Sequence, residues 1–537
     1  MRPALFILLA AALAAQTPSL PPDFSARVAA LERSHQAGPG DLQVVDALAG
    51  SYAMAGEYQK AIALLRQAIA RPGGDAQARA DLQLKLARNQ SWARRSRDSI
   101  RSYETYLKAR PGDRTATIEL IRLRRYRGDY SPAEKLCNRL LRANPDDAEV
   151  LALKAEVLHW AGNRSQEARR AADRAASLAA DSPDAKVSQI YALRDLGENR
   201  QARREFRELT DEVSRRGGPD AGATYHDAYV LLENELAHPA RITNTPAYSS
   251  YNDSDGIHND LWGVRFAAPF REDHKLILDF NQYRSSAPSS GLFTAGRSVS
   301  SVTEFDAGGT FRAAPGVDFT LLGGGSQRRS APGLAPTFDF QIAASPLDRW
   351  TFDFSSGREF LMVTPRSMDL DISSYKVAGG AQYAFDSHTS LALHAERRYW
   401  SDQNASIAAD ALLRRILHYH RPFMIDAGAL VHWEHYARDT QFASGFFTPD
   451  EYRRYDGFMG LHGELGRWVS YEVRGAVGAQ RVTQSATYRP DWELTTSANF
   501  RLSRSLRFSA NYQRRNYSLL SRDGWYQGFY IGLGFQP

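Results

Sequence analysis

Residues 491–502 read Asp-Trp-Glu-Leu-Thr-Thr-Ser-Ala-Asn-Phe-Arg-Leu. In an extended chain successive side chains point to opposite faces. Trp492, Leu494, Thr496, Ala498, Phe500 and Leu502 therefore share one face, and Glu493, Thr495, Ser497, Asn499 and Arg501 share the other. One face suits hydrocarbon and the other suits water. The same split recurs in 389–400, where Leu391, Leu393, Ala395 and Tyr399 oppose His394, Glu396 and Arg398, and in 426–434, where Ala427, Ala429, Val431 and Trp433 oppose Asp426, His432 and Glu434. A soluble sandwich alternates too, but packs its apolar face on a second sheet. The number of such segments and the ending of the chain favour a sheet closed on itself in lipid.

Working outward, the period-two grammar with Gly, Ser, Thr and Asn turn signals holds from about residue 239 to the end. It divides into about sixteen antiparallel strands, at about 18 or 19 residues per strand and connection, which suits membrane strands of about 9–11 residues. Tight connections are expected at Arg271–Asp273, Ala314-Pro315-Gly316, Ser345-Pro346-Leu347, Asp386-Ser387, His420-Arg421-Pro422, Gly466-Arg467 and Ser503-Arg504. Longer ones are expected at 286–299, 362–369, 438–452 and 483–490, with short ones near 330 and 402. An even strand number returns the C-terminus to the side of the N-terminal half. The last strand, Trp525–Phe535, presents Phe529, Ile531, Leu533 and Phe535 outward and resembles the closing strand that barrel-insertion machinery reads, with Gln536-Pro537 following. The segment 405–418 also carries a helical pattern in Asp410-Ala411-Leu412-Leu413-Arg414-Arg415-Ile416-Leu417.

The inward face of such a barrel collects Asp426, His432, Glu434, Glu472, Arg474, Glu493, Asn499, Arg501, Arg507, Asn511, Gln513 and Arg515, donors and acceptors of both signs. Tyr526 and Tyr530 add ring faces. Either these side chains meet a cargo, or they pair across strands and stiffen the wall. A polar polymer crossing a lumen trades water hydrogen bonds for wall hydrogen bonds, and tight binding would stall it.

The N-terminal half follows another grammar. From Asp23 to Leu236 apolar residues recur at helical spacing, with Gly at turns and Pro after helices. Leu48, Ala49, Tyr52, Gly56-Glu57-Tyr58, Ala61, Ile62, Leu65, Ala68 and Pro72 form one unit; Leu86, Ala87, Ile100, Tyr103, Tyr106 and Pro111 form a second; Leu120, Gly128-Asp129-Tyr130, Ala133, Cys137, Leu140 and Pro145 form a third. Pro111 and Pro145 are 34 residues apart, and Gly128, Gly162 and Gly197 are 34 and 35 apart. The period resembles a tetratricopeptide (TPR) array of about five repeats, weakest at the second, where Arg94 takes the usual glycine's place. Cys137 reads as a small core residue where other copies have Leu65, Tyr103 or Phe206, and Tyr58 and Tyr130 read as packing. Repeats of this kind stack into a superhelix with a docking groove.

The very start reads as a signal peptide: Arg2, an apolar stretch Ala4–Ala15 too short to span a bilayer, and a small-x-small site at Ala12-Leu13-Ala14. The expected organisation is thus signal peptide 1–15, cap or linker 16–40, periplasmic TPR solenoid 41–238 and outer-membrane barrel 239–537. No Cys follows the cleavage point, which argues against a lipid anchor, and the lone Cys137 excludes an internal disulfide. Of the 537 residues 43% are apolar and 24% charged, excluding a collagenous or wholly disordered chain. No apolar run approaches the length of a transmembrane helix. Residues 241–537 hold 31 basic and 30 acidic side chains, leaving 36 and 31 before them; with no basic stripe in either half, nucleic acid is not an expected partner.

Catalytic and metal patterns are missing. In His432-Trp433-Glu434-His435 the histidines point to opposite faces of a strand and cannot share a metal. Gly323-Gly324-Gly325 lacks the Lys and helix of a phosphate loop, and reads as strand glycines near a bend. No Gly-x-Ser-x-Gly elbow occurs. The expectation is a non-enzyme with no cofactor.

The segment Phe446-Phe447-Thr448-Pro449-Asp450-Glu451-Tyr452 is similar to the aromatic-aromatic-Ser-Pro-x-x-Tyr segment in the barrel of bacterial cellulose exporters, with Thr for Ser. With the TPR-then-barrel order, nearly the whole mature chain resembles the outer-membrane exporters of bacterial exopolysaccharides, the cellulose synthase C subunit and poly-N-acetylglucosamine porin class. The resemblance implies a passive pore for a linear polysaccharide in the outer membrane, with periplasmic repeats receiving the polymer or docking inner-membrane synthesis components. Near-neutral charge suits a near-neutral polymer. The array is shorter than is usual in that family. The alternative is a non-transporting outer-membrane scaffold or receptor whose TPR groove recruits envelope proteins.

Overall fold

A computed structural model of the chain describes residues 23–71, 76–162, 164–215 and 242–535, except 272–273, 290–292, 295, 315, 331, 387, 421–422, 441–442, 466–467, 484–485, 504 and 517–523. The expected signal segment and the change of grammar near 238 lie outside the described residues. The chain forms two compact units, 1–129 and 130–537.

The first unit is helical: α1 Phe24–Ala37, α2 Leu42–Met54, α3 Tyr58–Ala70, α4 Ala76–Trp92, α5 Ser96–Ala109 and α6 Arg114–Arg127. A helix thus occupies part of the stretch expected as cap or linker. Val45, Leu48, Ile62, Leu65, Leu82 and Leu86 make one dry cluster. Asp41 accepts from the N–H groups of Gln43 and Val44, and Asp113 from that of Ala116, satisfying donors that a helix start leaves open. Gly56 ends α2 with φ 75° and Gly128 follows α6 with φ 86°. Arg94, at the corresponding turn after α4, takes φ 58°. The repeat turn demands a left-handed residue, and the array imposes it on an arginine at a cost of about 1 kcal/mol.

The second unit begins with α7 Tyr130–Ala143, α8 Ala148–Ala161, α9 Ser165–Leu178, α10 Pro183–Asp195 and α11 Asn199–Arg215. Cys137 is fully buried in α7, and burial pushes its thiol up to about 12. Gly162 and Gly197 again sit at positive φ. The strands follow: β1 Thr243–Asp253, β2 His258–Arg271, β3 His274–Ser286, β4 Val299–Ala314, β5 Val317–Gln327, β6 Leu334–Leu347, β7 Trp350–Phe360, β8 Ser373–Ala384, β9 Thr389–Trp400, β10 Ala405–His420, β11 Phe423–Tyr436, β12 Tyr452–Leu465, β13 Val469–Arg481, β14 Arg489–Arg501, β15 Leu506–Arg515 and β16 Tyr526–Phe535. They form a closed barrel of sixteen strands in sequence order, with β1 paired antiparallel to β16. N-terminal helical repeats followed by a closed antiparallel barrel is the fold the periodicities predict.

One local reading holds and one changes. The 405–418 segment, expected as a strand despite its helical pattern, lies within β10, paired on both edges; the ladder supplies backbone partners that outweigh that pattern. The turn expected at Ser345-Pro346-Leu347 falls two residues later, at Asp348-Arg349. Pro346 has no N–H to give the ladder, so the register slips between Ala344 and Leu347 instead of turning.

The inner face identifies itself, because side chains of non-adjacent strands can meet only on the concave side. Thr337 of β6 donates to Asp306 of β4 at 2.6 Å, Arg398 of β9 reaches Glu359 of β7, and Arg454 of β12 reaches Glu493 of β14. The opposite parity is apolar and uncovered: Leu413, Val431, Leu461, Val473, Leu494 and Leu533 are all exposed. At Gly308, Gly324, Gly428 and Gly478 a Cβ would collide with the carbonyls of Leu321, Phe305, Leu413 and Tyr455. These glycines let the wall bend, which accounts for Gly324 within the Gly323–Gly325 run.

Short turns join the strands at the end where β1 begins and β16 finishes, and within the second unit two of them grip helices. Arg164 provides no side-chain cap for α9; the carboxylate of Asp348, from the β6–β7 turn, accepts from the N–H groups of Gln166 and Glu167 at 2.9 and 3.0 Å instead. Gly316 N–H of the β4–β5 turn donates to the Leu196 carbonyl at 3.1 Å, and the Arg312 guanidinium donates to the Gly197 carbonyl.

Candidate functional site: the barrel lumen

Register puts every anticipated lumen residue on the concave parity. Asp426, His432 and Glu434 lie on β11; Glu472 and Arg474 on β13; Glu493, Asn499 and Arg501 on β14; Arg507, Asn511, Gln513 and Arg515 on β15; Tyr526 and Tyr530 on β16. Many of them engage one another. Arg515 donates to Asp491 at 2.8 and 3.1 Å and to the Tyr452 hydroxyl. Arg454 bridges Asp456, Asp491 and Glu493, and Gln513 donates to Glu493 at 3.0 Å and to the Tyr526 hydroxyl at 3.1 Å. Farther along the wall, fully buried Asp426 accepts from Arg414 and pairs with His462 at 3.2 Å. His432 pairs with Asp410 at 2.7 Å and approaches Glu434 at 3.9 Å. Arg474 lies 3.4 Å from Glu472 and 4.9 Å over the Phe458 ring. This sector is a charge-paired wall, in which each buried ion has counter-ions that offset its loss of water.

Arg501 and Arg507 differ, standing directly opposite each other in register and exposed near the short-turn end.

The sequence reading missed the other sector. On β3 to β7 the inward positions carry Asp279, Glu304, Asp306, Asp318, Asp339, Asp353 and Glu359, against Lys275 and Arg312. Near neutrality of the whole barrel therefore conceals an acidic wall facing a balanced one. The signal was available: in 276–283, Leu276, Leu278 and Phe280 alternate with Ile277, Asp279, Asn281 and Tyr283.

At the far end, three loops meet. Loop 361–372 contains a short helix, α12 Pro365–Asp369, started by a capping box between Thr364 and Ser367. Arg366 ties three loops together: its backbone N–H donates to Phe293 O at 2.9 Å, and its side chain donates to Ala443 O at 2.6 Å and Thr294 O at 3.3 Å. Thr364 Oγ1 donates to Gly445 O at 2.5 Å. Asn259 of β2 donates to Val363 O at 2.9 Å. Met362 lines a 420 Å³ cavity together with Tyr251, Tyr283, Thr495, Asn511, Gln513 and Tyr530. Loop 361–372 leaves the rim at β7, and β15, which supplies Asn511 and Gln513, is eight strands round a ring of sixteen. The loop therefore crosses the lumen.

The 446–452 segment serves this closure by packing. Phe446 is buried among Ile372, Trp400 and Tyr436. Thr448 Oγ1 accepts from Thr440 N–H at 3.0 Å, and Pro449 O accepts from Tyr436 N–H at 3.3 Å. Tyr452 opens β12 beside Arg515, and Phe447, between Phe446 and Thr448 in the chain, is partly buried. Burial alone would raise the Glu451 carboxyl, but hydrogen bonds from Arg453, Trp433 and Arg481 outweigh it and hold the group below its usual range. Among the described residues no group of three or more His, Cys, Asp or Glu side chains could hold a metal ion, and no helix is long and apolar enough to cross a membrane.

Comparison with known proteins gives a partial frame. Residues 93–157 match the family model described as tetratricopeptide repeat. No curated protein matches the chain. Among solved structures, a bacterial polysaccharide outer membrane secretin aligns at TM-score 0.48 and 11% identity, over 56% of this chain and 99% of that one. A tetratricopeptide repeat protein from Parabacteroides merdae aligns at TM-score 0.33 and 15% identity, over 40% and 83% of the two chains. MamA from Desulfovibrio magneticus RS-1 aligns at TM-score 0.30 and 14% identity, over 34% and 99%. At these scores the likenesses carry no functional argument; the helical half contains tetratricopeptide repeats.

Proposed function

We propose that the chain is an outer-membrane pore that exports a linear polysaccharide, with its helical repeats on the periplasmic side. The carrying observation is the inverted barrel: an uncovered apolar outside, a polar and charge-paired inside, and a mouth narrowed by one loop beside a cavity of tyrosines and amides. Hydroxyl-rich cargo finds donors and acceptors there without one deep binding site, as transit requires. The proposed organisation is signal peptide 1–15, repeats 41–238 and barrel 239–537, the repeats receiving the polymer or docking synthesis components. β16, ending in Phe535, would serve as the strand read during insertion. The lumen residues act collectively, most as wall pairs and Tyr526, Tyr530, Asn511 and Gln513 as cargo contacts. A near-neutral polymer fits the balanced sector. No catalytic step is part of this reading.

Deleting the barrel should trap polymer in the periplasm; undiminished surface glycan in that strain sinks the proposal. The scaffold alternative is favoured by one observation, the loop lying across the lumen. Single-channel recording separates the two. For an export pore, Arg366→Ala, which removes the side-chain hydrogen bonds to Ala443 O and Thr294 O and so loosens loop 361–372, should raise conductance several-fold, whereas a permanently plugged anchor passes little current with either residue.

A further inference from the structure

The outer wall of the barrel is not uniformly apolar. Six arginines share its outward parity and stand near the loop end of their strands: Arg284 on β3, Arg358 on β7, Arg397 on β9, Arg453 on β12, Arg481 on β13 and Arg514 on β15. On the described strands, Arg415 of β10 is the one outward arginine nearer the short turns. Arginine on a lipid-facing wall is costly at mid-depth and tolerated towards either rim, so cost alone does not choose one rim over the other. The guanidinium groups also lean one way. Arg358 lies 5.4 Å over the Phe360 ring, Arg397 5.3 Å over Tyr399, Arg481 5.3 Å over Tyr488 and Arg514 5.1 Å over Trp525. Each of those rings is nearer the loops than the arginine that covers it. The charge therefore gathers at one rim, where, with the barrel in a membrane as proposed, lipid head groups lie.

The belt is not equally free along its length. Arg453 and Arg481 share the carboxylate of Glu451. Arg358 and Arg397 have no carboxylate partner among the described residues. Between them runs β8. Register sets Arg358 beside Tyr375 and Tyr375 beside Tyr399, two residues on from Arg397. Two strand spacings across and two residues along put the two arginine Cα atoms about 12 Å apart. Tyr375 and Tyr399 are 53% and 54% exposed, so two unneutralised cations frame a pair of open aromatic rings.

A guanidinium grips phosphate with two parallel N–H donors. A lipid with one phosphodiester occupies one of these arginines and leaves the other unpaired. A head group whose two phosphates are held apart by sugar rings meets both, and lays those rings on tyrosine faces. We propose that the outer surface of β7–β9, at the loop end, binds a bis-phosphorylated glycolipid of the surrounding leaflet, with one phosphate on Arg358, the other on Arg397 and the sugars over Tyr375 and Tyr399. The proposal rests on the membrane placement in the reading above and is independent of what the lumen carries.

The whole protein, delipidated in detergent, is titrated by native mass spectrometry with diphosphoryl lipid A, with its monophosphoryl form and with phosphatidylglycerol. The wild type should bind the diphosphoryl lipid about ten-fold or more tighter than either of the others, because a second charge-assisted contact is made. Arg358→Gln combined with Arg397→Gln should erase that preference, with the folded, heat-modifiable band retained. Arg415→Gln, on the same wall towards the other end, should keep it. Equal binding of the mono- and diphosphoryl lipids by the wild type overturns the site without recourse to any variant. So does a preference that survives in the double variant, or one that falls as far in Arg415→Gln. A protein that needs detergent but shows no lipid preference loses this site alone, whereas one that stays monodisperse without detergent overturns the membrane reading and the site with it.

Discussion

Leu65 and Leu413 are the same residue in opposite worlds. Leu65, in the helical repeats, is fully buried among Ile62, Leu48 and Leu86, whereas Leu413, in mid-strand β10, is 45% exposed on the outer wall. In the repeats the apolar side chains meet one another and the charges face out. In the barrel the charges meet one another inside and the apolar side chains are left facing outward. The hydrophobic effect rewards removal from water, not burial in protein, so with the barrel in a membrane, as proposed, the same rule yields an apolar core in one half and a polar one in the other.

The comparison is most severely tested by making one substitution in both places. Leu65→Ala should cost about 2–5 kcal/mol of stability in the repeats, because a cavity remains. If the barrel sits in a membrane as proposed, Leu413→Ala should cost less than about 1 kcal/mol, because lipid tails refill the space. Equilibrium urea unfolding measures both, and equal losses would mean that Leu413 packs against protein.

Leu413→Arg puts a charge where hydrocarbon is expected, and should cost about 2–4 kcal/mol and reduce the folded, heat-modifiable fraction on gels. The same change at Leu178, exposed on α9, should be close to neutral.

Smaller effects sharpen the contrast at its seam. Asp348→Ala removes from α9 a cap that the barrel turn supplies, and should cost about 1 kcal/mol, seen as earlier amide exchange in 165–178. Asp348→Asn, which keeps an acceptor, should recover most of it. Arg94→Gly should stabilise the first repeats by about 0.5–1 kcal/mol, because the turn already demands φ 58° and glycine adopts it without strain. A fall in melting temperature would show that the arginine side chain contributes more than its backbone costs.

Most of the architecture was legible in the residues. The 34-residue spacing of Gly128 and Gly162 marked the repeats, and alternation in 491–502 marked the strands. Inward and outward parity followed from the same alternation, so Glu493, Gln513 and Arg515 were found together. Parity says which face a side chain takes but not which partner it meets. Arg454, two strands from Glu493, becomes its partner only when the sheet curves.

What the chain determines by itself is therefore periodic: helix or strand, inside or outside, and where a turn must bend, because those depend on neighbours a few residues away. What tertiary structure alone decided is everything set by closure. It gathered the acids of β3 to β7 into one wall, sent loop 361–372 across the mouth, turned Phe446 into packing, and gave α9 a cap from a residue 181 and 182 positions distant. Those contacts join points remote in sequence, and no local pattern records which remote point the folded ring will bring near.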